Sequence, residues 1–318
     1  MKPAIVLPIA ITASFLIAGG TVISVALLAT EDVKEDANDY IIEPAFSSID
    51  ITTDSASIEF QVSEDNVRKI HYVESKNHHY EYNVEDDTLK ILHADNRSIF
   101  SKLITGADEN EKIIVYLPKG EYKDLKLESG DAKITVPNDF TFNETSVNLT
   151  KGSLYYSANT KGRLDIETNS ADAFLSNFTS NDNVVVASSS GVTKLQNVNI
   201  ENSLSSDCPI GYQYFENVRA KEIEIESSNG DILLRNVIAS DALTIQSKKG
   251  EITLEDVDSA SISLANVSGD INAVLLSPKT FTVSETTGEV HVPETTGDPC
   301  MIESISGNID ITIKEDTL

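Results

Sequence analysis

Residues 243–254 read Leu243-Thr-Ile-Gln-Ser-Lys-Lys-Gly250-Glu-Ile-Thr-Leu254, and this arrangement occurs repeatedly along the chain. Apolar and polar side chains alternate on both sides of a short polar turn that ends in glycine. An alternation of period two predicts a β-strand with one buried face and one exposed face. Glycine supplies the positive φ that such a turn commonly needs. The stretch therefore predicts two short strands joined by a turn.

The turn glycine recurs about every twenty residues over most of the chain. It stands at Gly130, Gly152, Ala171 (in place of glycine), Gly191, Gly211, Gly230, Gly250, Gly269, Gly288 and Gly307. The intervals are 22, 19, 20, 20, 19, 20, 19, 19 and 19 residues, and a fixed period of this size indicates a stacked repeat. One unit cannot bury its apolar face alone, but stacked coils can, at about 4.8 Å per step. Residues 123–318 are therefore predicted to form an all-β solenoid, with coils of about 19–20 residues and two short strands per coil.

Residues 41–122 are also rich in strand patterns but are less regular. Ile49, Ile51, Ala56 and Ile58 repeat the coil pattern with alanine in the glycine position, and residues 80–91 read as a hairpin around an acidic turn. We predict an irregular antiparallel β cap at the amino-terminal end of the solenoid. The apolar segment 98–104 is interpreted either as a buried plug or as an exposed contact patch.

The first thirty residues have the composition of a membrane segment. Residues 3–30 contain 28 consecutive uncharged and mostly apolar side chains, and about 20 suffice to span a bilayer. Lys2 precedes the segment and acidic residues follow it, which favours a cytoplasmic amino terminus. We expect a cytoplasmic stub and transmembrane helix over 1–30 and an acidic tether over 31–40. The alternative is a cleaved signal peptide ending near Ala18-Gly19-Gly20. The expected location is the cell membrane, with a single span and an external carboxy-terminal domain.

Charge and cysteine content restrict the partners and the cross-links. The formal net charge of −27 disfavours nucleic acid as a ligand and leaves calcium or basic partners open. Cys208 and Cys300 lie five repeats apart along the chain, about 24 Å by strand spacing, whereas bridged Cα atoms lie within about 7 Å. We therefore predict two buried free thiols.

Two columns of polar residues accompany the glycine. Small hydroxyl side chains three residues before it, such as Thr168, Ser188 and Ser227, are expected to face inward and to bond the turn backbone. Acidic residues directly after it are interpreted either as acceptors of backbone N–H groups or as a calcium ladder. Members of that second column are Asp131, Asp172, Asp231, Glu251, Asp270 and Glu289.

No residue pattern predicts catalysis. The five histidines (His71, His78, His79, His93 and His291) do not accompany the serine column, and there is no tryptophan to stack on sugars. We expect no enzyme activity, no cofactor and no catalytic, cofactor-binding or metal residues. A polysaccharide-active enzyme remains an alternative, and it would need a groove with paired carboxylates. A basic or aromatic stripe along one face would instead favour binding.

The order of the motifs resembles a known family. Ile49-Asp-Ile-Thr-Thr-Asp-Ser-Ala-Ser-Ile58, then Tyr82-Asn-Val-Glu-Asp-Asp-Thr-Leu-Lys-Ile91, then Ile114-Val-Tyr-Leu-Pro-Lys119 precede repeated Ser-x-x-Gly-Asp-Ile units. This series is similar to the bacterial "putative adhesin" β-solenoid family of unknown function, which includes LiaG-like membrane-anchored proteins of Gram-positive bacteria. The resemblance covers roughly residues 40–318. It implies an envelope location and brings no catalytic residues.

We therefore expect a non-enzymatic, membrane-anchored extracellular solenoid that acts as a cell-envelope binding or accessory protein, including in the envelope-stress response. Its expected partner is another envelope protein or a cell-wall polymer. The alternative is an adhesin that binds host or neighbouring-cell surfaces.

Overall fold

A computed structural model describes residues 37–73, 78–97, 111–284 and 287–315. These residues form 22 strands and no helix. The first eleven strands are β1 (Ala37–Ile41), β2 (Ser48–Thr53), β3 (Ser57–Val62), β4 (Lys69–Val73), β5 (His78–Glu85), β6 (Thr88–Asp95), β7 (Lys112–Leu117), β8 (Gly120–Val136), β9 (Phe140–Tyr156), β10 (Asn159–Thr160) and β11 (Leu164–Ser180). The others are β12 (Val184–Ile200), β13 (Ser203–Asp207), β14 (Ile210–Ser227), β15 (Ile232–Lys249), β16 (Ile252–Ser259), β17 (Ile262–Ser268), β18 (Ile271–Leu275), β19 (Lys279–Val283), β20 (Val290–His291), β21 (Asp298–Ser306) and β22 (Ile309–Ile313).

The middle of the chain is a β-solenoid, as the repeat predicts. Each coil pairs in parallel with the next one twenty residues on; for example Leu164, Ile166 and Leu175 lie beside Val184, Val186 and Leu195. Those side chains are buried and form one continuous core along the axis.

Each coil has three straight segments rather than the two that the sequence predicts. In β11 the buried positions run 164, 166 and 168, then 171, 173 and 175, then 178 and 180. A period of two holds within each group, and the phase shifts by one residue between groups. Two phase shifts mean two corners, because a straight strand keeps its inward positions exactly two apart. The second corner is a feature that the sequence pattern did not reveal to us.

The second corner is built from asparagine. Asn177, Asn197, Asn217 and Asn236 all have φ between 51° and 58°, and Asp256 follows with φ 57°. Asparagine tolerates this left-handed conformation better than most residues. The side-chain amides also bond from coil to coil, with Nδ2 to Oδ1 distances of 2.9, 2.8 and 2.6 Å along the four asparagines. The sequence does carry the signal, because an Asn or Asp followed by an apolar residue recurs six residues after each turn glycine in these coils.

The glycine corner brings neighbouring backbones into close contact. A Cβ on Gly211 would overlap the carbonyl oxygen of Gly191, and a Cβ on Gly230 would overlap that of Gly211. Several of these glycines also have positive φ, including 126° at Gly250. The column therefore requires glycine chiefly because of close approach, and the turn conformation that we expected is a second reason.

The register of the first regular coil differs from our prediction. The corner residue beside Gly152 is Ala132, not Gly130. The first interval is therefore 20 residues, from Ala132 to Gly152, and we obtained 22 because we counted it from Gly130. Alanine occupies the corner at Ala56 and at Ala132, since Ile58 pairs with Ile134. As a consequence Asp131 does not belong to the acidic column, and Lys133 takes that place.

The coils at the amino-terminal end do not stack in chain order. β2 pairs in parallel with both β6 and β8, and β3 pairs in parallel with both β7 and β8. The coil formed by β6 and β7 therefore lies outside the coil formed by β2 and β3. Antiparallel pairs complete this end: β1 with β4, β4 with β7, and β5 with β6. The range 41–122 thus contains parallel coils as well as the antiparallel strands that we expected.

The coils at the carboxy-terminal end also do not stack in chain order. β17 and β18 pair with β21 and β22, while β19 and β20 lie beyond them at the end of the stack. Cys300 is therefore four steps from Cys208 rather than five, or about 19 Å by strand spacing. Our straight chain-order stacking was wrong here, but both thiols are free and buried, as predicted.

Within the described residues, no helix is long and apolar enough to cross a membrane. The expected anchor over 1–30, most of the expected tether and the apolar segment 98–104 lie outside the described residues.

Candidate functional site

Part of the hydroxyl column faces inward and bonds the turn backbone, as predicted. Ser188 Oγ donates to the carbonyl of Ser190 at 3.0 Å, and Ser227 Oγ donates to that of Gly230 at 3.3 Å. Both side chains are buried and point into the corner. These two hydroxyls bond the backbone at the glycine turn, whereas the buried Thr168 Oγ1 and Ser304 Oγ have no hydrogen-bond partner among the described residues, contrary to our expectation for this column.

The acidic column accepts backbone N–H groups. Asp172 Oδ1 accepts from Val192 N at 2.8 Å, Asp231 Oδ1 from Glu251 N at 2.9 Å, and Asp270 Oδ1 from Asn308 N at 2.7 Å. The acceptor and the donor belong to neighbouring coils, so each carboxylate joins two coils. This arrangement supports the structural interpretation of the column over a calcium ladder.

A row of aromatic and basic side chains lies on the outer surface of the segment that follows the glycine corner. We call it the aromatic–basic stripe; its members are Lys133, Tyr155, Phe174, Lys194, Tyr212, Tyr214 and Arg235. Tyr155, Phe174, Lys194 and Tyr214 occupy successive coils in one register column. From Lys133 to Arg235 the stripe crosses five coil steps, or about 24 Å.

The stripe side chains hold one another in place. The rings of Tyr155 and Phe174 stack with centroids 5.1 Å apart, and Lys133 Nζ lies 5.2 Å from the Tyr155 centroid. Lys194 Nζ lies 5.2 Å from the Tyr214 ring, and Arg235 donates to Tyr214 Oη at 3.5 Å. Cation–π contacts of this kind restrict long lysine side chains that would otherwise be mobile. The stripe is therefore a pre-ordered surface.

Its polar groups remain accessible to solvent. Tyr155 is 41% exposed and Tyr212 is 37% exposed. Among the described residues, neither Lys133 nor Lys194 forms an ion pair. Of the nearby acids, Glu216 accepts from Gln196 at 2.7 Å, whereas Glu255 forms an ion pair with Arg235 of the stripe at 2.6 Å. The stripe thus presents hydrogen-bond donors on a chain whose net charge is −27.

A groove of about 460 Å³ lies on the segment that precedes the glycine corner. Its neighbouring carboxylates are Asp207 and Glu226, and both are exposed. Glu303 lies three steps from Glu226, about 14 Å by strand spacing, which is wider than the separations used by paired glycosidase carboxylates. Asp207 and Glu226 both face open solvent. The groove is a weaker candidate than the stripe.

Metal-ligand donors come together at the amino-terminal end. Among the described residues, one group of three side chains could hold a metal ion: His78, His93 and Glu111, all buried. We predicted no metal residues, because these three are separated along the chain and follow no metal-motif spacing. Only the pairing of β5 with β6 and the position of Glu111 before β7 bring them together.

Comparison with known proteins finds one matching family model and several similar solved structures. The family model described as Toastrack DUF4097 matches residues 46–208 and 202–318. No curated protein matches the chain. A solved "putative adhesin" from Bacteroides fragilis is similar at 15% identity and a TM-score of 0.42, covering 88% of this chain and 98% of that one. A "putative cell adhesion protein" from Clostridium sporogenes has 12% identity and a TM-score of 0.22, covering 88% and 100%. A "putative adhesin" from Parabacteroides distasonis has 14% identity and a TM-score of 0.30, covering 88% and 98%.

Proposed function

The chain belongs to the Toastrack DUF4097 family, and on that basis we propose that it is a non-enzymatic binding protein of the cell envelope. In this proposal the aromatic–basic stripe binds a cell-wall polymer. The observation that carries the proposal is the stripe itself, which is an ordered row of donors and rings on an otherwise acidic molecule.

The shape of the stripe favours an extended ligand. It is open and straight, it repeats at the coil spacing, and it runs for about 24 Å. Small-molecule sites are usually concave and enclose most of the ligand. An extended chain that lies along the stripe would meet similar groups at each coil, so many weak contacts would add up.

The chemistry of the stripe favours a ligand rich in oxygen acceptors. Lys133 and Lys194 are donors with positive charge, Arg235 is already paired with Glu255, and the tyrosine hydroxyls donate as well. Such donors suit the hydroxyl and anionic oxygen groups of a polymer, and charge-assisted hydrogen bonds are the stronger kind. The ring edges supply apolar contact beside these donors.

The location is part of the same proposal. Residues 1–30 would hold the chain in the membrane and the acidic segment 31–40 would separate it from the solenoid, so that the stripe faces the envelope. A protein held in this way would act as an accessory of the envelope, including during envelope stress. An adhesin that reaches host or neighbouring-cell surfaces is the competing function.

Replacement of three of the four stripe rings tests the proposal. The variant Tyr155→Ser/Phe174→Ser/Tyr214→Ser removes the central aromatic contacts, each worth about 0.5–1.5 kcal/mol. We expect the dissociation constant for cell walls isolated from the source organism to rise at least about tenfold, measured by co-sedimentation. The matched control carries Thr253→Ser, Asn272→Ser and Asp310→Ser, which lie in the same register column beyond the stripe.

The control variant should bind walls as the unchanged chain does. Equal binding by the stripe variant and the control would contradict the proposal, provided that both melt as folded proteins. Binding to host-cell surfaces but not to isolated walls would favour the adhesin function instead.

A further inference from the structure

The buried cluster of His78, His93 and Glu111 at the amino-terminal end has no part in the function proposed for the stripe. His78, His93 and Glu111 are 5%, 1% and 6% exposed, and they lie between the hairpin of β5 and β6 and the start of β7. Buried ionisable groups are costly unless they are paired or bind a metal. The cluster therefore needs a physical explanation.

The backbone places the three side chains together. In the antiparallel hairpin Tyr80 lies opposite His93, and His78 lies opposite Asp95. Glu111 comes directly before β7, and its carbonyl accepts the N–H of Ser57 at 2.9 Å. The two histidines thus come from the hairpin, and the carboxylate comes from the wall of a coil.

The side chains form a short contact series. His78 Nδ1 lies 3.0 Å from His93 Nε2, and His78 Nε2 lies 3.5 Å from Glu111 Oε1. One donor atom from each of the three residues lies within 4.8 Å of the other two. Ligand atoms on a tetrahedral zinc ion, with bonds of about 2.0–2.1 Å, lie about 3.3 Å apart. The two contacts use different ring nitrogens of His78, so binding of a shared ion requires the His78 ring to present one nitrogen to the ion while His93 and Glu111 draw closer than the 4.8 Å limit.

We propose that His78, His93 and Glu111 bind zinc, a divalent transition-metal ion. Two imidazole nitrogens and one carboxylate oxygen are a common zinc ligand set, with water in the fourth position. Calcium and magnesium prefer oxygen ligands throughout and do not suit two imidazoles. Zinc is therefore the ion tested first.

The surroundings keep the ligands in position. Tyr80 Oη donates to Glu111 Oε2 at 2.6 Å, which leaves Oε1 directed toward His78. The Tyr80 ring lies 4.6 Å from the His93 ring, and Tyr72 stacks on the other side of Tyr80 at 4.3 Å. Hydrogen bonds and packing of this kind orient metal ligands and tune their affinity.

Without metal, hydrogen bonds join Tyr80 to Glu111 and His78 to His93, and a 3.5 Å ion-pair contact links Glu111 to His78. These contacts are the competing explanation, and they make a different prediction. A bound ion would tie the hairpin to β7 and would stabilise the amino-terminal end in proportion to its concentration. These contacts alone would show no dependence on zinc.

Zinc titration of the full chain after treatment with a chelator decides between the two. We expect one equivalent of zinc to bind by calorimetry and the melting temperature to rise with zinc concentration. Cobalt in place of zinc should produce visible absorption. His93→Gln and the isosteric Glu111→Gln should each weaken zinc binding at least about tenfold. His79→Gln is the matched control, because His79 is on the same hairpin, is exposed and contacts Glu81.

Failure of the unchanged chain to bind zinc would overturn the proposal. So would equal affinity in Glu111→Gln and the unchanged chain, or a loss of binding in His79→Gln. If His93→Gln does not fold by circular dichroism, Glu111→Gln and the cobalt spectrum decide the outcome. The wall-binding test uses residues on a different surface, so either proposal can fail without the other.

Discussion

At the scale of single residues, the glycine column allows neighbouring coils to approach closely at the first corner. The backbone of one corner lies against the carbonyl of the next, and a side chain there would separate them. Alanine is nevertheless present at Ala56, Ala132 and Ala171. These corners lie toward the amino-terminal end, and from Gly191 to Gly269 every corner is glycine. A Cβ would overlap a neighbouring carbonyl oxygen at Gly152 and Gly288 as well as in the central stack, so the close approach extends along most of the column.

Gly230→Ala tests this close approach by itself, because Gly230 is not among the glycines with positive φ. The added Cβ would overlap the carbonyl oxygen of Gly211. We expect a loss of about 3 kcal/mol in the free energy of unfolding, since a backbone clash can be relieved only by moving two coils apart. Urea denaturation measures the loss. Asn229→Ala, an exposed neighbour, should change stability by less than about 0.5 kcal/mol, and similar values for the two variants would contradict the packing argument.

At the scale of elements, β19 closes the carboxy-terminal end with a buried charge. Lys279 is fully buried, and its Nζ donates to the Ser259 carbonyl at 2.6 Å and lies 2.7 Å from Asp258 Oδ1. Asp298 Oδ2 is 3.6 Å away. Burial by itself raises the pKa of Asp258. Hydrogen bonds from Lys279 and Ser277, together with the lysine charge, lower it by more than burial raises it, so the pKa of Asp258 lies below its usual value. The ion pair orients β19 at the end of the stack.

Asp258→Asn and Lys279→Met should differ in their effect on stability. Removal of the carboxylate leaves a buried ammonium with a weaker partner, so we expect a loss of about 3 kcal/mol. Removal of the ammonium leaves a part-exposed carboxylate and an apolar side chain of similar size, so we expect a change within about 1 kcal/mol. Denaturant unfolding at pH 7 measures both variants. Equal losses would contradict the argument.

The ion pair between Asp258 and Lys279 makes the stability of the protein depend on pH, with more stability at higher pH. Because the folded-state pKa of Asp258 is lowered, its contribution is fully present above the unfolded value of about 3.9 and is lost as pH falls through the folded value. Asp258→Asn should lack this part of the acid sensitivity. Unfolding curves at pH 5 and pH 3 give the comparison.

At the scale of the whole molecule, both ends exchange the order of two coils. The last coil in sequence, β21 and β22, packs on β17 and β18, and the coil before it in sequence covers the end. At the other end β6 and β7 cover the coil formed by β2 and β3. In each case the chain forms the outermost coil and then returns to form a coil further inside the stack. The outer coil shields an edge that would otherwise offer unpaired backbone to another chain.

Engineered disulfides test the exchanged order directly. Ala265 pairs with Glu303, and Ser284 lies on the other side of the same strand. We expect Ala265→Cys/Glu303→Cys to form a disulfide under mild oxidation, because neighbouring strands are about 4.8 Å apart. Ala265→Cys/Ser284→Cys should not, because two steps separate these residues by about 9.6 Å. Mass spectrometry of digests reads the result, and the reverse outcome would indicate stacking in chain order.

The candidate sites were predictable to different degrees. The hydroxyl and acidic columns could be read from residues at fixed distances from the glycine, since local turn chemistry decides their roles. The aromatic–basic stripe is visible in retrospect as one column, with Tyr155, Phe174, Lys194 and Tyr214 at the same offset. It was missed because its members differ in type. The cluster of His78, His93 and Glu111 has no local signal at all, because a hairpin and a coil wall from separate parts of the chain form it.

The sequence by itself determined the solenoid, its period and its inward-facing columns, because a short-range alternation and a recurring glycine act within one coil and its neighbour. The asparagine corners had a signal of the same local kind. Only the tertiary structure decided the register at Ala132, the exchanged coils at both ends and the buried cluster near His93. Coils with nearly identical apolar patterns can stack in more than one order, since each inner face fits every other. The order is settled by the ends, where edge shielding and particular contacts such as those of Lys279 outweigh the shared repeat.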